Sequence, residues 1–309
     1  MPLTTTRLIT IVGPTAAGKT RLAIALAQEL RGEIINADSR QVYRYLDIGT
    51  AKPTPEERSQ APHHLLDLRD PDQNFDLGTF LTLAKATIAD IRSRDRLPII
   101  AGGTGQYIWA LLEGWQVPEV PPDLEFRRSK EAEADRLGSD ALFQELQSLD
   151  PVRAAELDPQ NLRRVIRALE ILHTTGVPPS EFNKRAEPQD LGPIIGLGMN
   201  RDRLYQRIDQ RVDLMMEQGF LEECRDLSSW GYRLGEGPLA CPGYRELGQY
   251  LSGQLTLAES VQRTKYQTHR LARRQYTWFK LDDPRIHWLN AGAPTLVDRS
   301  IRFARRFSV

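Results

Sequence analysis

Short runs of β-branched and other apolar residues recur at four places along the chain, and each is followed by a segment whose apolar positions repeat with helical spacing. Residues 7–12 (RLITIV), 33–36 (EIIN), 97–101 (LPIIA) and 192–199 (GPIIGLGM) predict four buried strands. Near-continuous apolar runs of this kind belong to parallel sheets covered on both faces. Between the first two, residues 21–30 are rich in Ala and Leu and predict a helix, closed by Gly32. Residues 75–93 place Phe80, Leu83, Ala84, Thr87, Ile88 and Ile91 on one helical face, and residues 106–113 continue a glycine turn as another helix. Strand and helix in alternation predict an α/β fold: a parallel sheet flanked by helices.

The pattern then changes. Residues 117–122 (VPEVPP) form a proline hinge, and from Asp123 to about Lys184 the chain is charged and helical, with no strand-like run. Asp158-Pro159 predicts a helix start as N-cap and first-turn proline. Leu162, Val165, Ile166, Leu169 and Leu172 form its buried stripe, Gly176 its stop, and Arg163, Arg164 and Arg167 lie off the stripe. This block reads as an all-helical insertion domain, residues 119–186, in a core made of 1–118 and 187–309. After the fourth strand, residues 202–219 predict a helix with Leu204, Ile208, Val212 and Met215 inward. Arg203, Arg207 and Arg211 repeat every four residues on a neighbouring stripe. Thr256 and Glu259 make a capping box that opens a long helix with apolar positions at Leu257, Val261, Leu271 and Trp278. Its other side carries Arg263, Tyr266, Arg270, Arg273, Arg274 and Thr277.

Composition adds little until its distribution is considered. The 309 residues hold 41 Lys and Arg against 41 Asp and Glu, so net charge favours no class of partner. From Val261 onward, however, eleven Lys and Arg face only Asp282, Asp283 and Asp298, which points to a polyanion-facing surface or to a solvated C-terminal face. Two cysteines, Cys224 and Cys241, are too few for a disulfide framework or a usual zinc site and read as core or subsurface residues. No apolar run approaches a membrane span and the first residues lack a signal-peptide core, so a cytoplasmic protein with no membrane association is expected.

The candidate chemistry gathers at the carboxyl ends of the predicted strands, the edge where parallel sheets bind ligands. Gly13-Pro14-Thr15-Ala16-Ala17-Gly18-Lys19-Thr20 fits the phosphate-loop pattern G-x-x-x-x-G-K-[ST] at every fixed position and lies between strand and helix, as the motif requires. Backbone N–H groups would turn inward on an anion, Lys19 would reach the outer phosphates and the Thr20 hydroxyl would ligate Mg²⁺. Asp38 and Ser39 follow the second strand, and Gly102-Gly103-Thr104-Gly105 follows the third as a second phosphate-side turn. The adjacent pair His63-His64 reads as hydrogen-bonded structure rather than a metal site. Basic residues interleaved with an aromatic on the last long helix suit RNA phosphates and unstacked bases.

With these residues in place, the chain resembles the tRNA dimethylallyltransferase (tRNA isopentenyltransferase) family, in its bacterial form. The resemblance runs from Gly13 to about Lys280. It rests on GPTAAGKT (13–20), NADSRQVY (36–43), DIGTAKP (47–53), PHHLLD (62–67), AGGTGQY (101–107), NLRRVIRALEI (161–171), RLYQRIDQR (203–211), PGYRE (242–246) and ARRQYTWFK (272–280). Phosphate loops are shared with kinases, but DIGTAKP and ARRQYTWF are not. Gln106 stands where the family usually has an apolar residue, and Cys241-Pro242 replaces a commoner small apolar pair.

The resemblance implies a P-loop-like core that transfers a dimethylallyl group from dimethylallyl diphosphate to N6 of adenosine-37 beside the tRNA anticodon. Diphosphate is released, Mg²⁺ assists, and the enzyme is a monomer. The loop Gly13–Thr20 would hold the diphosphate, with Arg207 as the arginine that neutralises charge while the C1–O bond breaks. Asp38 would act as base for the adenine amino group, and Thr104 would align the reacting groups. Family likeness places RNA contacts on Asp38, Ser39, Arg40 and Gln41, on Thr104 and Arg127, and on Gln160, Asn161, Leu162, Arg163 and Arg164. Further contacts fall on Ala240, Cys241, Pro242, Gly243, Tyr244 and Arg245, and on Thr268, His269, Arg270, Arg273, Arg274 and Gln275. Three other readings remain open at this point: a P-loop small-molecule kinase, prenyl transfer to free AMP or ADP, and an RNA-binding module with a decayed loop.

Overall fold

The computed structural model describes residues 8–118, 120–182 and 192–307. The expected strand start at Arg7 and the expected insertion edges at residues 119 and 186–187 lie outside them. The chain divides into two compact units, Met1–Leu111 with Asp190–Val309, and Leu112–Gln189.

The larger unit begins β1 (Ile9–Val12), α1 (Lys19–Leu30), β2 (Gly32–Asn36), α2 (Pro55–Gln60), β3 (His63–His64), α3 (Leu77–Ser93), β4 (Leu97–Ala101) and α4 (Gly105–Leu112). The smaller unit contains α5 (Leu124–Leu137), α6 (Ser139–Leu149), α7 (Pro151–Ala155), α8 (Leu162–Thr175) and α9 (Pro179–Phe182), with no strand among its described residues. The larger unit resumes with β5 (Ile194–Gly198), α10 (Arg201–Glu217), α11 (Phe220–Ser229), α12 (Tyr244–Leu251), α13 (Leu257–Trp278), β6 (Ile286–Asn290) and α14 (Leu296–Arg305).

The six strands form one sheet in the order β3-β2-β4-β1-β5-β6, with every pairing parallel. The four central strands are those the apolar runs predict, and they are buried throughout but for the last residue of β5. Ile9, Ile11, Ile34, Ile99, Ile195 and Leu197 pack with Leu22, Ala23 and Leu26 of α1 into one core. β3 extends the sheet at one edge and β6 at the other. Both edge strands escape the pattern because β3 has two residues and β6 reads Ile-His-Trp-Leu-Asn, with its second and last residues exposed.

Three expectations are corrected, and the two readings of the basic C-terminal stretch divide between its parts. Gly32 does not close α1: Arg31 takes the left-handed conformation (φ 55°) and its N–H reaches the Ala27 carbonyl. Glycine follows because β2 and β4 approach closely there; a Cβ on Gly32 would stand 2.7 Å from Ile99 Cδ1 and 2.9 Å from the Leu97 carbonyl. Asp158-Pro159 is a turn rather than a helix start. Asp158 accepts the Asn161 N–H through its carbonyl, and Asn161 is the N-cap of α8, accepting from the Arg164 N–H. The buried face of α13 is Ser260, Thr264, Ala272 and Gln275, while Leu257 is 37% exposed. Small polar residues can be buried there because their hydroxyls turn back on the helix: Ser260 Oγ donates to the Leu257 carbonyl and Thr264 Oγ1 to that of Ser260. Finally, the basic C-terminal stretch is two surfaces. Ile301 and Ala304 of α14 join the α1 core, so Arg299, Arg302, Arg305 and Arg306 are the exposed side of a core-covering helix.

In the smaller unit Leu142, Leu146, Val165, Ile166 and Leu169 make a separate core. Buried beside it is a carboxylate that periodicity did not mark. Glu170 is fully buried; it receives the Asp123 N–H, two donors from Arg127 at 2.8 and 2.7 Å and one from Arg167. Burial alone would raise its pKa, but these donors together outweigh burial and lower it.

Candidate active site

Three strand ends supply the site. After β1 the chain turns through the loop 13–18, with Ala16 at φ 63° and Gly18 at φ 94°, left-handed steps that turn successive amides inward. Lys19 opens α1 and folds its Nζ onto the Gly13 and Pro14 carbonyls at 3.0 and 2.8 Å. Burial pulls the Lys19 ammonium down from its ordinary 10.5 to about 8, against the attraction of Asp38 and with the repulsion of Arg211. After β2, Asn36 receives the Asp38 N–H at 3.2 Å, and Asp38 Oδ1 accepts the Arg40 N–H at 2.9 Å. After β4, the Thr104 hydroxyl accepts the Ser39 N–H at 3.0 Å, and the Thr104 N–H reaches the Ala37 carbonyl. The Asp38 and Thr104 turns are thus bonded to each other by main chain and side chain.

The arginine stripe of α10 divides. Arg211 donates to Thr15 Oγ1 at 3.3 Å, and its pKa is lowered by burial while the Asp38 carboxylate opposes that fall. The Arg207 guanidinium stands beside Gly18, Nη2 3.9 Å from where a Cβ would be. Arg203 turns away and packs over Gly292. Two cations therefore accompany Lys19 at the loop, where Arg207 alone was singled out from the sequence.

One cleft of about 1080 Å³ gathers most of these groups, with Ser39, Thr104 and Arg203 outside its lining. Thr15, Ala16, Gly18, Lys19, Thr20, Asp38, Gln41, Arg207 and Arg211 meet there with Cys241, Pro242, Thr268 and Gln275. A second depression, about 490 Å³, is lined by Arg245, Arg270, Arg273, Arg274 and Thr277, and shares Cys241 and Pro242 with the cleft. Burial pushes the Cys241 thiol up to about 12, so it stays protonated and unreactive.

The cleft wall formed by residues 46–53 depends on a residue the motifs did not reveal. Glu223 accepts the N–H groups of Asp47, Ile48 and Gly49 at 3.0, 2.7 and 3.1 Å and the Tyr244 hydroxyl at 2.6 Å. Lys52, almost wholly buried, donates to Tyr43 O and pairs with Asp47 and Asp67. Gln41 holds the same segment, donating to the Thr50 and Ala51 carbonyls. His64 contacts Glu33 at 2.7 Å and His63 the Ala61 carbonyl at 2.8 Å, the structural role expected of that pair.

Not every expected RNA contact is presented alike. Arg163, Arg164, Arg245, Arg270, Arg273 and Arg274 are exposed. Tyr244 is fully buried on Glu223, Arg127 is committed to Glu170, and His269 stacks on Tyr205 with its Nε2 2.8 Å from Asp209. Arg127 and residues 160–164 belong to the smaller unit. Among the described residues no group of three or more His, Cys, Asp or Glu could cage a metal, and no helix is long and apolar enough to cross a membrane.

Known proteins resemble this chain over most of its length. The IPP transferase family matches residues 41–282 and the isopentenyl transferase family residues 6–74. The tRNA dimethylallyltransferase of Roseiflexus castenholzii is 48% identical over 97% of this chain and 97% of its own. That of Chloroflexus aurantiacus is 48% identical over 88% of this chain and 92% of its own. The chain belongs to the tRNA dimethylallyltransferase family. Among solved members, the tRNA isopentenylpyrophosphate transferase of Bacillus halodurans superposes with a TM-score of 0.72 at 39% identity, covering 98% of this chain and 96% of that one. A eukaryotic dimethylallyltransferase acting on tRNA gives 0.86 at 30% identity, covering 98% and 79%. The mixed α/β family fold, parallel sheet and helical insertion included, is the one described above.

Proposed function

We infer that this chain transfers a dimethylallyl group from dimethylallyl diphosphate to N6 of adenosine-37 of a tRNA, releasing diphosphate. The observation that carries the reading is a single cleft in which a phosphate loop, a carboxylate and two arginines meet, sharing a wall with an arginine-lined surface depression. A kinase reading gives no use to that depression, and a mononucleotide acceptor would not need it.

The chemistry follows from the groups present. The loop amides, Lys19, Arg207 and Arg211 bind the diphosphate and stabilise the negative charge that grows on it as the C1–O bond breaks, the term that usually dominates such catalysis. The adenine leaves its stack to enter the cleft, at a cost of a few kcal/mol. Its N6 lone pair is delocalised into the ring, so attack on C1 requires removal of an N6 proton, and Asp38 accepts it. Thr104 holds Ser39 and with it the Asp38 turn. Arg245, Arg270, Arg273 and Arg274 bind RNA phosphates, and Arg163 and Arg164 do so from the smaller unit.

Thr20 puts a hydroxyl on the cleft wall. A single hard oxygen donor beside the phosphate loop fits Mg²⁺, which takes most of its ligands from phosphate oxygens and water. When bound it neutralises diphosphate charge.

The test is transfer of label from radiolabelled dimethylallyl diphosphate to unmodified tRNA, with AMP offered in parallel. Label in tRNA, reduced at least a hundredfold in Asp38→Asn with donor binding retained, supports the reading. Label in AMP alone, or ATP consumption without prenyl transfer, overturns it.

A further inference from the structure

Gln275 lies on the buried side of α13, 7% exposed, and its carboxamide is spent on two separate loops. Oε1 accepts the Thr15 N–H at 2.7 Å, and Nε2 donates to the Gly103 carbonyl at 3.1 Å. The partners fix the amide's orientation, since a backbone N–H can only donate and a carbonyl only accept. Contact with the second loop is close: a Cβ on Gly103 would stand 2.2 Å from Gln275 Nε2 and would displace that amide. One side chain therefore ties the first residues of the phosphate loop to the turn that carries Thr104. The same end of α13 is anchored again one turn on, where the Trp109 indole donates to the Trp278 carbonyl at 2.8 Å.

The opposite side of this helix carries Arg270, Arg273 and Arg274, exposed and lining the arginine depression. A ligand that fixes those arginines fixes the helix that carries Gln275, and through it the geometry of both loops. We propose that Gln275 is a positioning residue that couples RNA docking on α13 to donor binding at the phosphate loop. Ordering by one ligand lowers the ordering cost of the other, so the coupling is reciprocal. The inference rests on the tRNA-transfer reading above. Although family likeness set Gln275 among the RNA contacts, both ends of its amide are occupied inside the protein, by the Thr15 N–H and the Gly103 carbonyl.

The test measures the dissociation constant of an unreactive thiodiphosphate analogue of dimethylallyl diphosphate, with and without a saturating unmodified anticodon stem-loop. In the wild type RNA tightens the analogue at least tenfold. In Gln275→Met, and in Gln275→Asn, whose side chain is too short to span both loops, the ratio falls to within twofold of one, while RNA affinity without donor changes less than twofold. A purely structural role would lower stability and leave the ratio intact. An unchanged ratio in either folded variant, or a wild-type ratio of one, overturns the proposal. If neither variant folds, hydrogen exchange of wild-type residues 13–20 decides: RNA alone slows it if the coupling exists, and leaves it unaltered if it does not. Wild-type protein that prenylates tRNA yet shows no coupling removes this inference only, whereas protein that binds no RNA removes the functional reading with it.

Discussion

Lys19→Met should make the protein more stable while abolishing prenyl transfer. In the donor-free protein the Lys19 ammonium is held in the cleft with its pKa lowered from 10.5 to about 8, chiefly by burial. That difference corresponds to about 3 kcal/mol of unfavourable charge burial at neutral pH, each pKa unit being about 1.4 kcal/mol. Water in the cleft screens part of it, and the bonds to the Gly13 and Pro14 carbonyls are lost with the ammonium, so the expected net gain is about 1–2 kcal/mol at pH 7. The pH dependence provides the sharper check. Between about pH 8 and pH 10.5 the unfolded lysine keeps a proton that the folded one has released, so in this window the wild type gains stability relative to the variant as pH rises. Urea unfolding of both proteins from pH 7 to pH 10 measures the gap, and every other titrating group cancels in the difference. The variant should lead at pH 7 and lose most of that lead by pH 10. A variant less stable at pH 7, or a gap independent of pH, would refute the reasoning. Diphosphate should restore the balance by stabilising the wild type and not the variant.

Glu170→Ala should destabilise the Leu112–Gln189 unit by about 3 kcal/mol, the low end for breaking a buried pair because Arg127 and Arg167 can reach water; thermal unfolding of the full chain reads it. Since the Glu170 pKa is lowered on folding, its contribution is present above about pH 4.5 and lost as pH falls below that, and the variant should lack this acid-sensitive component. Glu223→Ala should cost about 2–4 kcal/mol by stranding three amides and the Tyr244 hydroxyl, and Tyr244→Phe only about 1 kcal/mol. Prenyl transfer assays should show the first variant losing activity through a displaced 46–53 wall and the second retaining it.

Much of the architecture was legible because it is encoded locally. A strand buried on both faces must be apolar along its whole length, so the four central strands announced themselves as runs. The phosphate loop did so because amides can close on an anion only through a narrow set of residues at fixed spacing. Chain ends and edges were less legible. β6 is buried only at Ile286 and Leu289, on opposite faces, so neither a run nor an alternation marks it, and α14 fell within the basic C-terminal stretch because its arginines outnumber the few residues that seat it on α1. Asn161 and Asp158 are both good caps, and only the turn between them decides which one starts α8.

The sequence by itself determined the class of fold, the phosphate loop with Lys19 and Thr20, and the approach of Asp38 and Thr104 to the same sheet edge. These follow from residue type and short-range spacing. Tertiary structure alone decided that Arg211 joins Arg207 at the loop while Arg203 leaves it, that Arg127 answers to Glu170, that Glu223 holds the cleft wall, and that Gln275 works inside the protein between two loops. In each case the partner lies tens to hundreds of positions away, and a polar side chain's role is set by which groups the fold brings within hydrogen-bonding or packing reach, information that no local pattern carries.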